Sequence, residues 1–362
     1  MVKKVLKWVG IVVGVVVLAV VGFILWLTIT EYRPAAIEDI VDVKDSGAEH
    51  ILAVGDSFTV LTQNTGYAGL GKDSDFFMDG GRDVKPSKDQ VNTNVVGLGA
   101  QIEDQSPDVC FLQEVDDLSD RTYNTNQRAF YFSTISDSAN GPCTDAYALN
   151  YCCNFVPYPL PPIGKVRSGL QTISVFPVEK AQRIALPCPF SWPVSTANLK
   201  RCLLVSRVPL EGSDKELVLV NLHLEAYDDG EGKAAQTKVL MDVLTSEYEK
   251  GNYVIAGGDF NQTFPGALDA FPIKDPSLWT PGVLEADTLP EGWQFACDLS
   301  APTCRLLNQP YNPDSGDTQF YVIDGFILSP NVRLDSVETI DRQFQYADHN
   351  PVLVRVTLEE EP

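Results

Sequence analysis

Gly257-Gly258-Asp259-Phe260-Asn261 and, far downstream, Ala347-Asp348-His349-Asn350-Pro351-Val352 are the stretches on which the reading of this chain turns. The first ends the apolar run Tyr253-Val254-Ile255-Ala256, and the second opens the run PVLVRVTL that begins at Pro351. Short apolar, β-branched runs bounded by Gly, Asp or Asn read as buried strands. Polar residues able to do chemistry therefore stand just beyond strand ends. In extended backbone, side chains two apart face the same way, so Asp259 and Asn261 are expected to point together.

The same arrangement recurs outward from these two stretches. Phe58–Asn64 (FTVLTQN) alternates and ends on Asn64. DVCFLQEV, from Asp108, is a buried strand ending at Glu114, and KELVLVNLHLEA, from Lys215, is a strong strand ending at His223. QFYVIDGFILS, from Gln319, carries Asp324 between apolar neighbours. GLQTISVFPV and KRCLLVSRVPL are further strands. Lys88–Gln105 reads as a helix, with Val91, Val95, Leu98 and Ile102 at helical spacing. A second helix is expected near 123–132 and a third over 232–250, with Val239, Leu240, Val243, Leu244 and Tyr248 inward. A long turn-rich loop covers 262–317. Strands and helices interleave, so the class is α/β. Strands packed in one sheet deliver their ends to a common rim, where open α/β sheets hold ligands.

Each polar residue alone has a bland reading. Glu114 suits a solvated strand end, His223 a structural strand histidine, and Asp324 a buried acid with an ion-pair partner. Their order along the chain is more specific: Asn64, Glu114, His223, Asp259 with Asn261, Asp324, then Asp348-His349. In these motifs, GDFN followed by DHNPV above all, the chain resembles the endonuclease/exonuclease/phosphatase superfamily from about Phe58 to Val356. The resemblance implies a four-layer α/β/β/α sandwich of two packed mixed sheets with the active site at one edge. It also implies a divalent metal, Mg²⁺ in the first place with Mn²⁺ or Ca²⁺ as alternatives, and hydrolysis of a phosphoester. Carried over motif by motif, Glu114 is the principal metal ligand, with Asn64 and Asp348 close by. Asp259 orients or deprotonates the attacking water, and Asn261 helps hold the phosphate. His223 and His349 contact the non-bridging oxygens, and Asp324 fixes the tautomer of His349. Such chemistry needs a hard cation held by oxygens, donors for the oxygens that gain charge, and a carboxylate to take a proton. Of three histidines, only His50 lies outside the motifs. Gly66 stands two residues after Asn64, where some branches carry a further acid, and Ala347 replaces a common Ser or Thr. Lys165, Arg167 and Arg201 are candidates for a phosphate contact, and Arg82 for a substrate contact.

Ahead of this region, Val9–Thr28 is an almost unbroken apolar run, long enough to span a bilayer as a helix. Lys3, Lys4 and Lys7 precede it and Glu31 follows, which puts the N-terminus in the cytoplasm and the body outside. A cleaved signal peptide is the alternative, giving a secreted protein. The expected organisation is 1–30 cytoplasmic tip and anchor, 31–55 linker, and 56–358 catalytic domain. In an extracytoplasmic body the eight cysteines are expected in disulfides, with Cys297 and Cys304 placed to close a local loop. Their spacing fits no familiar zinc pattern.

The chain carries 27 Lys+Arg against 49 Asp+Glu, a formal net charge of −22. That argues against avid binding of a phosphate polymer, though a metal can screen a cleavage site. The substrate is expected to be a nucleic acid, a phospholipid such as sphingomyelin, or a small inositol or sugar phosphate ester, with a nuclease as the first expectation. A membrane-anchored binding protein on the same fold, without catalysis, is the alternative of another class. Asp75, Asp79 and Asp83 do not match a calcium loop and read as a substrate loop or a solvated turn. Trp279 and Trp293 are expected to pack rather than to reach a membrane.

Overall fold

The computed structural model describes residues 2–138, 141–228 and 230–360. Two seven-stranded mixed sheets lie face to face. Fourteen strands build them: β1 (Ile37–Asp39), β2 (Lys44–Asp45), β3 (Ser57–Asn64), β4 (Val109–Asp116), β5 (Thr144–Val156), β6 (Gly164–Ser174), β7 (Lys180–Ala185), β8 (Cys202–Pro209), β9 (Glu216–His223), β10 (Tyr253–Asp259), β11 (Gln294–Ala296), β12 (Asp324–Leu328), β13 (Val332–Thr339) and β14 (Val352–Leu358). The first sheet runs β13-β14-β3-β4-β6-β5-β2 and the second β1-β7-β8-β9-β10-β12-β11. Residues 31–55, expected as a linker, supply an edge strand to each sheet through β1 and β2.

Strand alternation makes the layers. Val60, Phe111, Leu204, Leu219, Ile255, Phe326 and Val354 point between the sheets and form the central core. Their sequence neighbours point outward. Leu61, Cys110 and Leu112 meet α2 (Lys88–Gln105) and α3 (Gln127–Ser136), whereas Val205, Val220 and Val254 meet α4 (Glu231–Tyr248). The result is the four-layer α/β/β/α sandwich. Each buried aliphatic side chain contributes roughly 1.5–3 kcal/mol, so alternation over a dozen strands fixes register strongly. α2 starts where a reciprocal cap allows it: Ser87 Oγ accepts from Gln90 N at 3.2 Å, and Gln90 Oε1 accepts from Ser87 N at 2.8 Å.

Strand direction gathers the candidate residues at one edge. β3 and β4 run parallel, as do β9 and β10. β12 is antiparallel to β10, and β14 to β3, so their starts lie at the same edge.

Three expectations change. The second helix begins later, at Gln127. QFYVIDGFILS is broken at Val322-Ile323 into Phe320–Tyr321 and β12. The eight cysteines are all free. Cys110, Cys143, Cys153, Cys202 and Cys304 are buried, where a thiol serves as a small apolar side chain. Cys297 and Cys304 do not close a loop: Cys297 packs against the α4-side core, whereas Cys304 is buried with Leu306, Tyr321 and Ile323.

Ahead of the sandwich stands α1 (Val2–Ile29), with a mean hydropathy of 2.9 over its most apolar window and none of that window buried against protein. It is long and apolar enough to cross a membrane, a test that a signal sequence also passes.

Candidate active site

Asp259 ends β10 at the centre of the edge, and one of its oxygens is the focus of the site. Asn64 Nδ2 donates to Asp259 Oδ2 at 3.0 Å, His223 Nε2 lies 3.4 Å from it, and His349 Nε2 lies 3.9 Å away. The other oxygen, Oδ1, accepts the Asn261 N–H at 2.8 Å. Asn64 joins the two sheets: besides reaching Asp259 it donates to Glu114 Oε1 at 3.3 Å, and its own Oδ1 accepts from Gly66 N at 3.0 Å. Behind it, Gln113 Nε2 donates to Asn221 Oδ1 at 2.8 Å, a second polar tie between the sheets. All these groups are buried or nearly so.

Glu114 reaches the site because β4 is irregular there. Its pairing with β6 shifts between Leu112 and Val115, and Glu114 has φ 54°. A bulge of this kind re-aims a side chain that regular alternation would send elsewhere. Asn261 also leaves extended geometry, with φ 50°. The expected alternation of Asp259 and Asn261 is therefore replaced by a turn, and Asn261 Nδ2 donates to Leu224 O at 2.9 Å. Asn261 thus braces Asp259.

His349 is held from behind. Its Nδ1 meets Asp324 Oδ2 at 2.8 Å, which fixes the ring and leaves Nε2 facing Asp259 and, at 3.9 Å, Asp348 Oδ2. Burial disfavours a charged imidazole, but the Asp324 carboxylate, with Cys304 and Asp348, overcomes it and holds the His349 pKa well above the ordinary value. His223 moves the other way. Burial, Arg201 and His349 lower its pKa well below the ordinary value. The site thus pairs a cationic imidazole with a neutral one. Burial and the facing Asp324 push Asp259 up to about 7. Burial also pushes Asp348 up to about 7, with Glu114 adding to the rise and His349 opposing it.

The donor set suits a hard divalent cation. Asp348 Oδ1 is buried without a hydrogen-bond partner, as are Asp324 Oδ1 and His223 Nδ1. Two clusters bring three ligand atoms within 4.8 Å of one another: Asp259, Asp324 and His349, and Cys304, Asp348 and His349. Gly66 leaves the Asp348 oxygen room, since a Cβ there would stand 2.8 Å from Oδ1. Neither cluster includes Glu114 or Asn64; the carboxylate oxygens of Glu114 and Asp348 match Mg²⁺ or Mn²⁺ better than a sulfur-seeking metal, while Asn64 turns its Nδ2 toward Glu114.

Two of the cations expected near a phosphate, Arg201 and Arg167, have carboxylate partners. Arg201 Nε pairs with Glu225 at 3.1 Å and its Nη1 donates to His223 O. Arg167 lies 3.7 Å from Asp117, and Arg82 is exposed on a turn held by Asp75 Oδ1. Lys165 donates its backbone N–H to Asp120. Trp279 packs on Tyr321 and donates to Ala226 O at 2.9 Å, and Trp293 packs on Tyr248. Sequence reading missed the contact of Tyr227 with Asp79, where the hydroxyl donates to Oδ1 at 3.1 Å. No spacing rule links those two residues. It also missed the Gln113–Asn221 tie, although both side chains flank quoted site residues.

The profile of the Endonuclease/Exonuclease/phosphatase family matches residues 70–351. The chain belongs to that family. Its fold is shared by an endonuclease/exonuclease/phosphatase from Beutenbergia cavernae, at 17% identity and TM-score 0.57, covering 84% of this chain and 72% of that one. A second is the endonuclease/exonuclease/phosphatase from Bacteroides vulgatus, at 15% identity and TM-score 0.53, covering 84% and 100%. ANGEL2, described as a 2',3'-cyclic phosphatase, aligns at 15% identity and TM-score 0.50, covering 84% and 96%. Among curated proteins there is no significant sequence match. Members of this family are phosphoester hydrolases that generally depend on a divalent metal.

Proposed function

We propose that this protein is a membrane-anchored, extracytoplasmic phosphodiesterase that depends on a divalent metal. The observation that supports this most is the convergence of Asn64, His223 and His349 on one oxygen of Asp259, with an unpartnered Asp348 oxygen beside them. Glu114, Asn64 and Asp348 would hold the cation, Mg²⁺ in the first place. When bound, it stabilises negative charge on the phosphate oxygens.

The chain's own groups do the rest. Asp259 lies where an attacking water can be oriented, and a carboxyl raised to about 7 is a suitable proton acceptor near neutral pH. His349, kept cationic by Asp324, donates through Nε2 to a non-bridging oxygen. His223, neutral and buried, offers an uncharged donor to another. Asn261 and Asn64 keep Asp259 from rotating away.

Several of the cations around this edge are tied up by carboxylates or backbone carbonyls. Besides Arg201, Arg121 pairs with Asp116 at 2.8 Å and Lys233 with Asp228 at 2.7 Å. Together with a net charge of −22 this favours a small or lipid-borne phosphodiester over a long polyanion. A nuclease-type substrate is the other arm of the test. The full-length protein is assayed with Mg²⁺, and with chelator, on bis(p-nitrophenyl) phosphate, supercoiled plasmid and choline-phospholipid vesicles. Metal-dependent turnover of any of these, absent in His349→Ala, supports the reading. Turnover unaffected by chelator, or no turnover of all three by folded protein, refutes it.

A further inference from the structure

Four large apolar side chains stand in water on one part of the sandwich. Tyr158 (69% exposed) and Leu160 (81%) form the tip between β5 and β6, and Trp192 (61%) and Val194 (57%) lie on a neighbouring loop. The two aromatic side chains are held in place. The Tyr158 ring meets Phe77 edge-on at 5.9 Å, and Trp192 Nε1 donates to Thr28 Oγ1 at 3.0 Å.

Thr28 belongs to the last turn of α1, and that end of the helix is built into the same region. Phe23 meets Phe155 edge-on at 6.0 Å, and Leu27 is buried with Val156 and Val166 at the base of the β5–β6 tip. The exposed patch is therefore continuous with the apolar helix. α1 has 28 residues and is about 42 Å long, more than the roughly 30 Å of a hydrocarbon core. Trp8 and Trp26 are separated by about 27 Å of helix, and tryptophans mark the two bilayer interfaces. That places Trp26, and the patch around the helix end, at the outer interface.

The patch is also on the catalytic side. Asp116, two residues beyond Glu114, pairs with Ser168, whereas the β5–β6 ladder continues to Val156↔Gly164 before the tip closes. The tip thus projects past the edge that carries Asn64, Glu114 and Asp259. Through Phe77 it touches the loop whose Asp79 receives the Tyr227 hydroxyl.

We propose that the β5–β6 tip and the Trp192 loop rest in the headgroup region of the outer leaflet and hold the catalytic edge against the bilayer, so that the phosphodiester presented to it is a phospholipid headgroup. Amphipathic aromatic and aliphatic side chains beside an anchor favour such an interface. This rests on the anchored-phosphodiesterase reading above.

The full-length chain in phosphatidylcholine nanodiscs tests it. Fluorescence lost on Trp192→Phe, and separately on Trp8→Phe, isolates each indole. Lipids brominated close to the glycerol, or at mid-chain, then report depth. The expected result is that the Trp192 signal is quenched at least twofold more by the shallow bromines than by the mid-chain ones, and is shielded from aqueous iodide. A Trp192 signal quenched by iodide and by neither lipid, with Trp8 quenched by lipid, overturns the docking alone. If neither indole responds to bromine, the anchor fails as well.

The double variant Tyr158→Ser/Leu160→Ser tests the substrate. A roughly tenfold loss on nanodisc choline phospholipid is expected, with hydrolysis of soluble bis(p-nitrophenyl) phosphate unchanged. Equal loss on both, or loss on neither, overturns the lipid assignment. Absence of wild-type turnover on both refutes the hydrolase reading and the lipid assignment with it, while the quenching still decides the docking.

Discussion

Asp324 and Asp259 face each other across β12 and β10, and Asp324 also holds His349 Nδ1 at 2.8 Å. One carboxylate thus raises the pKa of both groups, the acid by repulsion and the imidazole by attraction. Asp324→Asn removes that charge. Asp259 then ionises at lower pH, and His349 loses its proton at lower pH. Both limbs of the pH–kcat profile are expected to move toward acid, with a fall in kcat of roughly 10–100-fold. Unmoved limbs in a folded variant would contradict the arrangement. His349→Ala and Asp259→Ala are expected to lower kcat roughly 10³-fold or more. Asp259→Ala should melt near wild type or above it, because burial disfavours the Asp259 charge, whereas His349→Ala should melt lower, because it leaves the Asp324 carboxylate buried without its cation. Full turnover by either variant would remove that residue from the site.

Among the elements, the clearest test is the contact of β9 and β10 at Gly258. Its φ is 148°, and a Cβ would lie 1.9 Å from Leu222 O, which is backbone and cannot rotate away. Gly258→Ala is expected to cost about 3 kcal/mol or more and to lower the melting temperature by several degrees, measured by calorimetry. Strands like β10 were legible in the sequence because apolar runs between glycine and polar residues are buried on both faces. α2 was legible end to end from its apolar spacing, and the structure adds the Ser87 cap. β13 (VRLDSVET) was not, because it is an edge strand whose middle is largely exposed, and its pattern carries little signal. β5 was hidden among cysteines and flanking prolines, though Asp145 pairs with Arg128 and Asn150 Oδ1 receives Cys202 N within it. The site residues were legible as strand-end motifs. The bulge that aims Glu114 and the turn at Asn261 were not, because both depend on left-handed backbone at residues other than glycine, which no periodicity reveals.

Across the whole molecule, stability depends on charged groups remote from the site. Arg207 joins Glu216 and Glu247 at 2.8 and 2.7 Å. Burial opposes ionisation of Glu247, but hydrogen bonds from Arg207, Lys250 and Asn252 outweigh it and lower its pKa to about 2. The folded pKa is below the unfolded one, so this contribution is present above the unfolded value of about 4.3. It is lost as pH falls toward 2, and after solvent screening it is worth about 1–2 kcal/mol. Glu247→Gln should therefore be less stable than wild type at pH 7, with the difference vanishing near pH 2 in denaturant titrations. The free cysteines give a second whole-molecule test. Eight thiols per chain are expected to react with a thiol reagent in denaturant without reductant, and fewer would mean that disulfides form. The most direct measurement of the central claim is the Mg²⁺ dependence of bis(p-nitrophenyl) phosphate hydrolysis by the full-length wild type, Glu114→Gln and His349→Ala. Activity is expected to be abolished by chelator and restored by Mg²⁺, with the half-saturating Mg²⁺ concentration raised roughly tenfold or more in Glu114→Gln and no recovery of His349→Ala at any Mg²⁺. A Glu114→Gln enzyme with the wild-type Mg²⁺ dependence, or wild-type hydrolysis that persists in chelator, would contradict that claim.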